Sequence, residues 1–104
     1  MKDKIVAELI DLELPLNGKG FMYWTDMLMF VYENQGKENI KVTNLYRFLA
    51  EKYNSNYAAV ERVVRLGRVS MEKKFREKYN VKYGKITVDS ILKMFVLKIF
   101  KGDF

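Results

Sequence analysis

The sequence predicts an all-α protein, a compact bundle of at least five helices that contains a helix-turn-helix over about 43–78. Three observations point there. Apolar residues recur at spacings of three and four in five successive stretches, the period of a helix with one buried stripe. Short clusters of Gly, Asn, Ser or Pro, which tolerate turn geometry, separate most of those stretches. The 104 residues are 49% hydrophobic, enough apolar material for one core and too little for two, so 1–104 reads as one domain.

In order, residues 3–14 place Ile5, Val6, Leu9, Ile10 and Leu12 or Leu14 on one stripe. Pro15 and the Asn17-Gly18-Lys19-Gly20 cluster are expected to end this helix and form a turn. FMYWTDMLMFVYEN (21–34) is apolar almost all round, which marks the central core helix and predicts a largely buried Trp24. Its methionines and aromatics could line a cofactor or partner groove, but filling irregular gaps in a core is their commoner use. Residues 35–39 read as a polar loop. Thr43 is the expected N-cap of a helix with Leu45, Tyr46, Leu49 and Ala50 inward, ending near Tyr53. Asn54-Ser55-Asn56 supplies residues that tolerate turn and cap geometry. The next helix, about 57–79, turns Val60, Val63, Val64, Gly67, Met71 and Phe75 to one face and Glu61, Arg62, Arg65, Arg68, Glu72 and Arg76 to the other. Thr87 caps a last helix whose stripe is Ile91, Leu92, Phe95, Val96 and Ile99. Most of this stripe is expected to close the core; Met94, Leu97 and Phe100 could exceed what the core covers and offer a dimer contact, a reading placed behind plain core packing.

Composition excludes much chemistry. There is no cysteine, hence no disulfide or thiolate metal site, which fits a reducing cytoplasm. There is no histidine, the commonest general base and metal ligand. The Asn17–Gly20 turn lacks the spacing and the Ser or Thr of a phosphate loop, and no paired carboxylates stand at a recognisable spacing. No catalytic residue, cofactor, metal or small-molecule substrate is therefore expected. The opening MKDKIVAELIDLEL never builds the apolar run of a signal peptide, and the most apolar stretches, 21–32 and 91–100, are too short to span a bilayer. A soluble, cytoplasmic protein without a membrane partner is expected.

The net charge of +6 is unevenly placed. Residues 1–40 carry 4 basic and 7 acidic side chains, residues 41–85 carry 12 and 4, and the remainder 3 and 2. A cationic block beside a mildly acidic first part favours a polyanionic partner, although a lysine-rich solvated surface explains charge alone equally well.

The helix pair sharpens this. Two helices joined by a short turn, the second carrying arginines on its exposed face near its start, is the layout of a helix-turn-helix. An arginine can donate two hydrogen bonds to guanine O6 and N7, and a glutamate can accept from cytosine N4. Arg62 and Arg65 lie three apart with Glu61 beside them, in the turns of a recognition helix that enter the major groove. Lys41, Lys52, Arg68, Lys73 and Lys74 flank this face and are expected on the DNA backbone. The plainer alternative is a solvated face with Glu61 paired to Arg65 at i, i+4.

From about Val6 to Lys98 the chain resembles the C-terminal effector domain of the sporulation master response regulators, the stage-zero sporulation protein A family. Three stretches carry the resemblance: KGFMYWTDMLMFVYEN (19–34), VTNLYRFLAEKYNSN (42–56) and VERVVR (60–65). It implies a six-helix, all-α fold, within the five to six helices read from the pattern, and binding to a short duplex DNA box with a TGTCGAA-like core, often as head-to-tail tandem copies. Base reading falls on Glu61, Arg62 and Arg65. Where the family usually has a basic residue before the motif valine this chain has Ala59, and where it has a histidine after the last arginine this chain has Leu66. A DNA contact is expected to be lost at each. Gly67 follows and weakens the helix by about 1 kcal/mol relative to Ala unless close packing requires it. The family's receiver domain has no counterpart before Val6, which suggests a stand-alone paralogue or an excised domain.

The leading expectation is thus a sequence-specific, duplex DNA-binding transcriptional regulator. The alternative is a protein-interaction module of the same fold, working through Met94, Leu97 or Phe100, that has lost DNA reading.

Overall fold

The computed structural model describes residues 1–35 and 40–101. Five α-helices follow in order: α1 (Lys2–Asp11), α2 (Lys19–Glu33), α3 (Val42–Lys52), α4 (Tyr57–Lys78) and α5 (Val88–Met94), the last running on into a π-helical turn over Phe95–Ile99. No strand occurs among the described residues, and the chain forms the all-α bundle that its periodicity predicts. Most of the predicted polar loop, residues 36–39, lies outside the described residues, as do 102–104.

Three helices stop in the same way. Beyond α1, α3 and α4 the backbone turns left-handed at Glu13, Asn54 and Asn80 (φ 67°, 50° and 55°). The amide of the following residue then reaches back to a carbonyl of the last turn: Leu14 to Leu9 at 3.0 Å, Ser55 to Ala50 at 2.8 Å and Val81 to Arg76 at 3.0 Å. Otherwise orphaned carbonyls are satisfied this way, and asparagine accepts the left-handed conformation at two of the three sites. Contrary to the expectation from sequence, Pro15 and the glycine cluster do not end α1; the break at Glu13 does, and the helix stops at Asp11 rather than 14. Lys19 and Gly20 are corrected as well. They open α2, with Gly18 as its cap at φ 87°, a conformation that favours glycine.

Starts differ from expectation once more at α3, where extended Lys41 is the N-cap and Thr43 lies inside the helix without a capping bond. Asn56 caps α4 as a turn residue should, its Oδ1 accepting from the Ala59 amide at 2.9 Å. Thr87 caps α5 as predicted, in a reciprocal box with Ser90.

The hub is α2, which packs on α1, α3 and α4 and buries Tyr23, Trp24, Thr25, Met27, Leu28 and Val31 around much of its girth. Trp24 is fully buried. From α1 the core receives Ile5 and Leu9, from α3 Leu45 and Leu49, and from α4 Val60, Val64, Met71 and Phe75. One polar latch ties α1 to the end of α4. The Glu8 carboxylate, buried, accepts from Lys78 Nζ at 2.8 Å and from the Tyr79 hydroxyl at 2.6 Å, and Lys78 also pairs with Asp11. Burial works against the Lys78 ammonium, but its bonds to Asp11 and Glu8 outweigh this and raise its pKa. The same bond to Lys78 holds the Asp11 carboxyl below the usual range.

The C-terminal segment goes mostly to the core, the use its apolar stripe favours. Met94 and Phe100 are buried, and of the three residues thought surplus to the core only Leu97 stays exposed. The reason is the π-helical turn. Its i→i+5 repeat, closed by Phe100 N–H to the Phe95 carbonyl at 2.9 Å, brings residues five apart onto one face. Phe95 and Phe100 therefore both point inward, with ring centroids 6.2 Å apart, and Phe100 meets Tyr32 edge-on at 5.2 Å. A regular helix would have swung Phe100 well round from Phe95.

Candidate nucleic-acid interface

The candidate surface is built on the first half of α4, and its footing comes first. Tyr53 to Asn56 connect α3 to α4, and Asn56 fixes where α4 begins. Val60, Val64 and Gly67 face the core, and there the Trp24 indole lies directly on the helix, Nε1 donating to the Val64 carbonyl at 3.1 Å. A Cβ at position 67 would stand 2.5 Å from Trp24 Nε1 and 3.2 Å from Leu14 Cδ1. Gly67 is therefore required by close packing, and its cost in helix propensity is offset by the contact it permits.

With that face fixed, helical geometry sets the rest. Arg62, Leu66, Val69 and Lys73 form the outermost stripe, all exposed. Arg62 has no ion-pair or hydrogen-bond partner among the described residues. Arg65 is exposed too, but its Nη1 donates to both Glu61 carboxylate oxygens, at 2.7 and 2.8 Å. The i, i+4 pair considered from sequence thus exists. It is a surface pair, worth a few tenths of a kcal/mol, so opening it to reach another partner costs little. Behind Glu61 lies Tyr46 of α3, whose hydroxyl is pushed up to about 12 by burial and then by the Glu61 carboxylate. Glu61, Arg62 and Arg65 are therefore together on the first turns of one anchored helix.

The flanking cations are less uniform than the sequence suggested. Lys41 and Lys73 are exposed. Lys52 bridges to Asp26 at 3.1 Å, and Asp26 also accepts from Tyr53. Lys74 acts electrostatically on Asp11, so it lies towards α1 rather than on the outward stripe. Arg68 is engaged inside the fold: its Nη1 donates to Glu72 at 2.7 Å and to the Ile86 carbonyl at 2.9 Å. Arg76 does the matching job, binding Glu72 at 3.3 Å and the Gly84 carbonyl at 2.6 Å. Together these two arginines strap the 84–86 segment onto α4. Sequence reasoning missed this role, although Glu72 lies four residues from each of Arg68 and Arg76, the spacing of a helical ion-pair ladder. A groove of about 600 Å³ runs along this flank, lined by Val42 and Tyr46 of α3, by Glu61 and Arg65, and by Ile86 and Thr87 beyond the strap.

Among the described residues no cluster of acidic side chains could hold a metal ion, and no helix is long and apolar enough to cross a membrane.

Residues 5–101 match the family described as "Sporulation initiation factor Spo0A C terminal", a span that covers all five helices except the first three residues of α1. No individual curated protein and no solved structure was found to match. The family is one of DNA-binding regulatory domains rather than enzymes. With an all-α bundle, an anchored helix pair and a match over nearly its whole length, the chain belongs to the family of Spo0A C-terminal domains.

Proposed function

We propose that the protein is a sequence-specific, duplex DNA-binding transcriptional regulator acting in the cytoplasm, with α4 as the recognition helix of a helix-turn-helix formed by α3 and α4. Glu61, Arg62 and Arg65 read base edges in the major groove, the arginines donating to guanine O6 and N7 and Glu61 accepting from cytosine N4. The observation that carries this reading is Arg62. It projects from the outermost stripe of a packed helix with its charge unmatched among the described residues, one turn from a weak and exposed Glu61–Arg65 pair. Lys41 and Lys73 are the exposed cations best placed for phosphates. Lys52, Lys74 and Arg68 contribute longer-range attraction while holding their intramolecular roles. Where boxes occur in tandem, copies of the chain sit side by side on the duplex.

The interaction-module alternative loses support, because two of the three residues it invoked, Met94 and Phe100, are in the core. A titration against duplexes carrying and lacking the TGTCGAA-like box, at two salt concentrations, tests the reading. Selective binding with a steep salt dependence is expected. No preference for any duplex, even after selection from a random pool, would overturn it.

A further inference from the structure

The outermost stripe of α4 is not purely cationic. Between Arg62 and Lys73 it carries Leu66 and Val69, 59% and 55% exposed. A single exposed leucine is ordinary in itself. Its place is what matters. Leu66 follows Arg65 directly and stands one turn beyond Arg62, about 6 Å further along the axis, which is about two base steps. A helix that lays Arg62 and Arg65 on base edges therefore lays Leu66 on the same groove floor.

The backbone under it is anchored on both sides of position 66. Gly67, the next residue, is clamped against Trp24, and Trp24 holds the Val64 carbonyl. Leu66 also edges a shallow, mainly apolar groove of about 190 Å³ with Leu14, Pro15 and Val63. This surface offers a base no hydrogen bond from position 66. The one feature of a base edge that a leucine side chain recognises is the thymine C5 methyl, which protrudes into the major groove.

We propose that Leu66 is a specificity-determining residue that reads a thymine methyl within about two base steps of the guanine contacted by Arg62. The inference rests on the DNA-reading role assigned to α4 above and deepens it. Alanine would leave the methyl in water, whereas a polar residue at 66 would reach for phosphate or a hydrogen-bonding edge. Leucine instead makes the preference one for thymine over cytosine at that step, two pyrimidines that differ there by the methyl and by O4 against N4.

The experiment starts from the best duplex that the wild-type chain selects from a random pool. Each thymine on either strand is replaced, one at a time, by deoxyuridine, which removes only the methyl. For wild type, one replacement close to the Arg62-dependent guanine should weaken binding about fourfold, the worth of one buried methyl. Leu66→Ala should bind the thymine and deoxyuridine duplexes equally, while Leu66→Met and Val69→Ala should keep the difference. Each variant's urea midpoint should match wild type, since both positions are exposed. Selective binding with no methyl dependence, or a dependence unchanged in Leu66→Ala, would overturn the role of Leu66 and leave DNA reading intact. Failure to select any duplex would remove both.

Discussion

The Trp24 indole lies against α4 where Gly67 leaves room for it, so close that a methyl group at position 67 would stand 2.5 Å from Nε1. The central helix and the proposed recognition helix are thus joined at one point by a tryptophan and a missing side chain. Gly67→Ala tests this with a sign opposite to helix propensity. Alanine favours an exposed helix by about 1 kcal/mol over glycine. Here it should destabilise the fold by about 1–3 kcal/mol, because the indole must move from a packed site and loosen its bond to Val64. Urea unfolding measures the difference. A midpoint equal to or above wild type would show that the contact is not tight. A double-mutant cycle with Trp24→Phe should return a clear coupling energy between the two positions.

Arg62 and Arg65 should each cost about 1–3 kcal/mol on the preferred duplex when changed to alanine, and less on unrelated DNA. Removing Glu61 should act in the other direction on non-specific binding. A carboxylate facing a polyanion repels it, so Glu61→Ala should hold or raise affinity for unrelated DNA while preference for the correct cytosine falls. The variant also frees Arg65 from its partner. Folding stability should change by no more than about 0.5 kcal/mol in all three, which unfolding curves check.

Arg68 and Lys73 should separate cleanly. Lys73→Ala removes an exposed cation and should weaken all duplexes by similar factors, flattening the salt slope by about one unit. Arg68→Ala instead leaves the Ile86 carbonyl and Glu72 without a donor they use in the fold. It should cost about 1–2 kcal/mol in stability and speed amide exchange in the 80–87 segment. If Arg68→Ala altered only the salt slope, the strap would not be structural.

Alkaline pH should destabilise the fold in a defined window. Tyr46 is raised from 10.0 to about 12 by burial and the Glu61 carboxylate, and Tyr53 to about 12 by burial and its hydrogen bond to Asp26. For both, the folded chain holds the proton more tightly than the unfolded chain. Their contribution is fully present below pH 10 and is lost as pH rises from 10 through 12. Phenolate absorbance should show three late-titrating tyrosines, since burial and the hydrogen bond to Glu8 hold the Tyr79 hydroxyl up as well, and Tyr46→Phe should lessen the loss of stability across that window. At the acid end the sign reverses. Asp11 is lowered by its hydrogen bond to Lys78, so its contribution is present above the ordinary carboxyl value of 3.8 and is lost as pH falls below it. Asp11→Asn should be less sensitive to acid than wild type.

Much of this protein was legible in its sequence, because a helix of period 3.6 writes its buried stripe directly into the order of residues. The five helices, the burial of Trp24, the caps at Asn56 and Thr87 and the exposed face with Arg62 and Arg65 all follow from spacing and from single-residue turn chemistry. Neighbours far apart in the chain are a different matter. Gly67 looked like a weak point in α4 until Trp24, 43 positions earlier, was found filling the space it leaves. Arg68 looked like a free cation until Ile86 folded back beneath it. Phe100 looked surplus because the period assumed was that of an α-helix, and a single π-helical turn moved it inside. The Pro15 turn was misplaced because the break at Glu13 is a backbone event that the identity of glutamate does not announce. Local sequence fixes which face of each helix is apolar, since that depends on residues three and four apart. Which charges remain free on the other face depends on what the packed chain brings against them, and only the tertiary structure decides that.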